Sequence, residues 1–97
     1  MDLNSWIDAR LKELGEAERK KITFNDSEPH ADVKSYIRVA GRDEVGPGSY
    51  YRTVDDYFTL NGRSFVMKLE FKERDSREST YQAALDRAIR TFTVVPK

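Results

Sequence analysis

Tyr50-Tyr51-Arg52-Thr53-Val54-Asp55-Asp56-Tyr57-Phe58-Thr59-Leu60, then Asn61-Gly62, then Arg63-Ser64-Phe65-Val66-Met67-Lys68-Leu69-Glu70-Phe71-Lys72 is the stretch whose reading decides the fold. Asn-Gly between two runs rich in aromatic and β-branched residues predicts a two-residue type I′ turn, because that turn needs φ > 0 at both central positions. The turn sets the register. Leu60 then faces Arg63, Phe58 faces Phe65, Asp56 faces Met67, Val54 faces Leu69 and Arg52 faces Phe71. On the other face Tyr57 meets Val66, Asp55 meets Lys68, Thr53 meets Glu70 and Tyr51 meets Lys72.

Upstream, Leu3, Ile7, Leu11 and Leu14 recur at helical spacing, with Asn4 or Ser5 as the cap and Gly15 as the stop. Glu16 to Lys21 reads as a charged connector after a break at Gly15, or as a solvated extension of the helix, and Ile22 to Phe24 as a short strand closed by the polar loop Asn25 to Pro29. Val33 to Ala40 alternates, with Val33, Ile37 and Val39 on an apolar face that joins Phe58, Phe65, Val54 and Leu69. Gly41 to Gly48, with three glycines and a proline, reads as a long connection. Downstream, Ser79-x-x-Gln82 matches a capping box, with Asp75 and Ser76 as alternative caps, for a helix carrying Tyr81, Leu85, Ala88 and Phe92, supported by Ala84 and Ile89, with Asp86 and Arg90 paired on its exposed side. The β-branched Thr93-Val94-Val95 ends that helix near Phe92, and Pro96 closes the pattern. The fold class is therefore α+β: an antiparallel meander of about four strands flanked by an N-terminal and a C-terminal helix, in one domain over residues 1–97.

Composition narrows the function classes. Seventeen basic residues balance seventeen acidic ones over ninety-seven positions. A neutral, interspersed charge set gives no electrostatic basis for nucleic acid or an anionic membrane, which need clustered Lys and Arg. No cysteine and a single histidine exclude a disulfide framework, a thiol nucleophile and a poly-histidine metal site. No cofactor motif is present; the glycines of the Gly41 to Gly48 segment do not have a phosphate-binding spacing. The N-terminus lacks the pattern of a signal peptide, and no stretch reaches membrane-spanning length, so a complete chain of this sequence would be cytoplasmic.

Two segments resemble a known family. Tyr57 to Phe71 with its Asn-Gly turn, followed by Tyr81-Gln82-Ala83-Ala84-Leu85-Asp86-Arg87-Ala88-Ile89-Arg90-Thr91-Phe92-Thr93-Val94, is similar to the closing segment of the PsbP-like α/β/α sandwiches. That superfamily includes PsbP, Mog-type Ran-binding and bacterial DcrB-like proteins, and the helix at Leu3 to Leu14 would match its middle helix. Such domains begin with a further strand pair that this sequence does not contain, as a fragment or shortened relative would not. The resemblance implies a non-catalytic binding or assembly role and carries over no functional residue.

The residues themselves offer two places for function. Tyr36, Arg38, Tyr51, Tyr57, Val66 and Lys68 are read as one sheet face, and Tyr mixed with long cations suits a protein-binding surface or self-association. Whether that face is open or covered depends on where the helices lie. An edge strand, at Ile22 to Phe24 or at Val33, offers a second route to a partner. Asp56 falls among Val54, Phe58, Met67 and Leu69. It is a carboxylate perturbed by burial, or turned to solvent by a bulge at Asp55-Asp56, or paired with Arg52. A small-ligand pocket between sheet and helix, or a small enzyme using Asp56 with His30, is the alternative class.

Overall fold

The hairpin forms with every pair in the register read from Asn61-Gly62, without a shift anywhere along it. Asn61 and Gly62 both take positive φ, 53° and 76°, as the type I′ turn requires. The structure, a computed structural model, describes residues 2–25 and 27–93. Around the hairpin strands β3 (Ser49–Leu60) and β4 (Arg63–Lys72) the order is α1 (Leu3–Glu13), β1 (Gly15–Thr23), β2 (Ser35–Gly46), β3, β4 and α2 (Glu78–Thr91). The sheet is an antiparallel meander in the order β1-β2-β3-β4.

Each face of the sheet carries one helix. Tyr57 and Phe58 are successive residues of β3, so their side chains point to opposite faces. Tyr57 packs with Val39 and with Ile7 and Leu14 of the α1 segment, whereas Phe58 packs with Tyr36, Val33 and Ile89 of α2. Phe58, Phe65 and Phe92 form a three-ring cluster, with centroids 5.0 to 5.4 Å apart, under the end of α2. Full burial of Phe58 contributes about 1.5–3 kcal/mol, and half-buried Phe65 and Phe92 contribute less.

Several expected boundaries move, each for a local reason. Asp2, with extended φ and ψ, caps α1 by accepting a hydrogen bond from the Ser5 amide (2.8 Å), so neither Asn4 nor Ser5 is the cap. Leu14 turns extended, and Gly15 opens β1 where it was expected only to stop the helix. The charged segment Glu16 to Lys21 is therefore strand. Its side chains are almost all exposed, and an edge strand with so little to bury shows no apolar alternation to read.

The long connection at Gly41 to Gly48 is also strand except for Pro47-Gly48. Gly41 is inside β2 because Leu14 packs on it: a Cβ there would lie 2.9 Å from the Leu14 Cβ. Pro47 followed by Gly48 at φ 72° fits a type II turn, and the pairing skips Val45 between Glu44↔Tyr50 and Gly46↔Ser49. That one-residue bulge decides which faces coincide. It places Ile37 opposite Tyr57 and Arg38 opposite Asp56, so Ile37 and Val39 join Tyr57 under α1, and Tyr36 and Arg38 join Phe58 under α2.

The capping box at Ser79 and Gln82 does not form, since Ser79 lies inside α2 and the Gln82 amide instead donates to Glu78 (3.3 Å). Leu85 and Ile89 are the buried positions of α2, flanked by half-buried Tyr81 and Phe92, while Ala88 faces solvent. Val94, Val95 and Pro96 lie outside the described residues. No described helix is long and apolar enough to cross a membrane.

Candidate functional site

Asp55 and Asp56 are 1% and 0% exposed, and the bulge considered from sequence as turning them to solvent is absent from β3–β4. A buried carboxylate persists only with charged or hydrogen-bonding partners. Arg38 supplies two for Asp56: its Nε donates to Oδ1 at 2.8 Å and its Nη2 to Oδ2 at 2.9 Å. The same Nη2 reaches Asp86 Oδ1 of α2 at 2.7 Å, so Asp86 ties to the sheet where pairing with Arg90 was expected. Arg52, the partner considered from sequence, stands opposite Phe71 and Arg42.

Burial pushes the Asp56 carboxyl above the ordinary carboxylate range against the opposing pull of Arg38, while the hydrogen bonds to Asp56 raise the Arg38 guanidinium further. On the other face Arg10 Nε donates to Asp55 Oδ2 at 2.9 Å, and the Tyr57 hydroxyl donates to the same oxygen at 3.1 Å. Burial, then the Asp55 charge, pushes the Tyr57 hydroxyl well above its usual range.

The six residues read as one binding face divide among three places. Tyr36 (6% exposed) and Arg38 lie under α2, with the Arg38 guanidinium 5.6 Å from the Tyr36 ring. Tyr51 stands opposite Lys72 toward the other end of the sheet, against a shallow hollow shared with Glu70 and Tyr81. Tyr57, Val66 and Lys68 do come together. They line a groove of about 240 Å³ beside α1, closed on its helix side by Trp6, Ala9, Arg10 and Glu13.

Trp6, Arg10 and Glu13 were missed, although their spacing of four and three marks a second stripe beside Leu3, Ile7, Leu11 and Leu14. Trp6 is 37% exposed, one of the few large apolar side chains left open to solvent. The Tyr57 ring itself is 4% exposed and forms the floor of the groove. A groove of this size falls below the roughly 300–1,000 Å³ of small-molecule pockets and suits one side chain of a partner.

The groove adjoins an open sheet edge. α1 lies over β1, β2 and β3, which leaves the α1-side surface of β4, with Val66 and Lys68, at the rim. The two edges of the sheet are β1 and β4, and the strand that follows Val33 is interior rather than an edge. β1 is guarded by exposed Glu18, Arg19, Lys20 and Lys21 and by a register shift between Gly15 and Glu18. β4 carries no bulge, and Phe65, Val66, Met67 and Leu69 along it are only partly covered.

The residues of the enzymatic alternative are not brought into a catalytic arrangement. Asp56 has no exposed surface, and both its oxygens are held by Arg38. His30 contacts the Ala31 carbonyl through Nδ1 (3.0 Å) and stacks on Phe24 at 5.5 Å. Among the described residues no group of three or more His, Cys, Asp or Glu side chains could hold a metal ion. Compared with protein-family models, with curated proteins and with solved structures, the chain matches none of them.

Proposed function

We propose that this chain is a non-catalytic protein-interaction module that accepts an extended segment along β4, with one side chain of that segment seated in the Trp6 groove. The observation that carries the reading is the juxtaposition of an unbulged, partly apolar edge strand with a groove whose wall includes Val66 and Lys68 of that strand. In strand addition the ladder supplies affinity through main-chain hydrogen bonds, and pockets for alternate side chains supply specificity. Trp6 offers a flat apolar wall, and Lys68 and Glu13 offer charges of both signs at its rim. The likeness of the C-terminal half to PsbP-like, Mog-type and DcrB-like domains favours the same class of role.

Selection from a displayed library of linear peptides tests this, with the protein immobilised sparsely enough to remain monomeric. Peptides enriched on the wild type are expected to be lost on Lys68→Pro, which removes an outward amide donor from an edge strand, and weakened on Trp6→Ala. No enrichment, or enrichment indifferent to both changes, would overturn the reading.

A further inference from the structure

The amides of β4 divide by parity. Glu73 N–H donates to the Tyr50 carbonyl at 3.1 Å, one step beyond the Tyr51↔Lys72 pair. With the alternation of an antiparallel ladder, this assigns the odd-numbered amides of β4 to β3 and leaves those of Ser64, Val66, Lys68 and Glu70 pointing outward. An antiparallel β4–β4 pair between two copies must therefore match even residues with even ones, which limits its twofold axis to positions at a residue.

Charge and overlap decide among those positions: an axis at Phe71 sets Glu70 against Lys72 but overlaps only residues 70–72 of each strand, and an axis at Val66 matches no charge. An axis at Lys68 sets Lys68 against Lys68, and an axis at Glu70 sets Glu70 against Glu70; like charges directly opposite oppose pairing. An axis at Met67 leaves Lys68 opposite Val66 and Glu70 opposite Ser64, with no charge matched. An axis at Leu69 places Lys68 opposite Glu70 of the second copy, and does so twice. On the α2 side the same register sets half-buried Leu69 against Leu69, and Met67 beside Phe71, which packs on Tyr81 of α2. Lys68 and Glu70 are exposed and appear in no ion pair among the described residues.

We infer that the partner of β4 is a second copy of this chain, joined about a twofold axis at Leu69 into one continuous eight-stranded sheet. This rests on the reading of β4 as the acceptor edge and goes beyond it by naming the occupant. The register is self-complementary in charge on the α1 side and brings the two half-buried Leu69 side chains together on the α2 side, and β1, with its charges and register shift, does not offer an equivalent edge.

Light scattering coupled to size exclusion, over a concentration series of the full chain, tests the inference. The wild type is expected to run as a dimer that dissociates on dilution. Lys68→Glu sets Glu against Glu twice and is expected to raise the dimer dissociation constant about tenfold or more. Glu70→Lys does the same with lysines, and Lys68→Glu with Glu70→Lys restores both pairs and the dimer. A wild type monomeric at every concentration, or a dimer indifferent to either single change, overturns the inference. If the same monomer selects peptides that Lys68→Pro abolishes, β4 is still an acceptor edge and only its occupant is wrong. If it selects none, both readings fall together.

Discussion

Asp55 and Asp56 are chain neighbours that point to opposite faces of one sheet, and each is buried against a different arginine. Asp55 holds Arg10 of α1, and Asp56 holds Arg38, which in turn holds Asp86 of α2. One dipeptide at the middle of β3 thus fastens both helices to the sheet. Apolar packing supplies attraction without much direction, whereas a charge-assisted hydrogen bond between arginine and carboxylate is directional and specifies where a helix sits.

Removing Arg38 strands the Asp56 charge under α2. Arg38→Ala is expected to cost about 3–5 kcal/mol in urea denaturation at neutral pH. Asp86→Ala, whose side chain is 44% exposed, should cost under about 1 kcal/mol. Replacing both partners, Arg38→Met with Asp56→Leu, should recover most of the loss because no charge is then left buried. The sign with pH also follows. A carboxyl whose folded pKa is raised contributes stability below its unfolded pKa and loses it as pH rises through the folded value. Without Arg38 that rise is larger, so the deficit of Arg38→Ala should shrink as pH falls. A deficit that is constant with pH, or no greater than that of Asp86→Ala, would show that Asp56 is not stranded.

Tyr57 links the Asp55 pair to alkaline stability. Its hydroxyl pKa lies above the ordinary value of about 10, so the folded state keeps a proton that the unfolded state gives up. Stability is whole below that value and declines as pH rises past it. Tyr57→Phe loses the hydrogen bond to Asp55 and should be about 1–2 kcal/mol less stable at neutral pH. Above about pH 10 the gap should narrow, because phenylalanine has no proton to lose. Denaturation curves on either side of that pH decide it, and parallel loss in both proteins would sink the argument. Tyr36, also raised by burial, contributes alkaline loss equally to the two proteins.

Gly41 and Gly15 make a paired test of the joint between α1 and the sheet. Alanine at 41 would put its Cβ 2.9 Å from Leu14 Cβ and 3.1 Å from the Gly15 carbonyl oxygen. The end of α1 must then lift from β2, at a cost of about 1–3 kcal/mol. Alanine at 15 meets nothing nearer than the Arg42 carbonyl oxygen at 3.8 Å and should change stability by less than about 0.5 kcal/mol. Equal losses at the two sites would mean that backbone freedom, rather than contact with Leu14, explains Gly41.

What the sequence made legible was whatever a local signal determined. Asn61-Gly62 forces a turn, the turn forces parity, and ten cross-strand pairs follow without further information. The stripe Leu3, Ile7, Leu11 and Leu14 determined a helix in the same way. β1 was not legible, because an exposed edge of Glu, Arg and Lys buries too little to show a period. Nor was the partner of Asp56. Pro47-Gly48 alone would leave Arg38 opposite Tyr57, the grouping expected from sequence, and only the leftover Val45 moves Arg38 opposite Asp56. The division of the tyrosines between two faces has that same single cause. The Trp6 groove was half legible: Tyr57, Val66 and Lys68 were named, but their neighbours on α1 required knowing which helix covers which face.

Val45 itself is open to a direct test. A type II turn closing a two-residue hairpin twists against its strands, and a bulge increases local right-handed twist, so Val45 reconciles the two. Deleting Val45 leaves Glu44↔Tyr50 adjacent to Gly46↔Ser49, so every pair beyond the bulge keeps its face. The deletion should therefore fold, at a loss of roughly 1 kcal/mol from the mismatched turn. Adding Pro47→Asn to the deletion writes Asn-Gly into this hairpin, the solution already used at Asn61-Gly62, and should regain the loss. Urea denaturation of the three proteins reads the sequence of changes. Failure of the deletion to fold would mean that the bulge is needed for more than twist. A further loss on adding asparagine would mean that the type II turn was never the strained element.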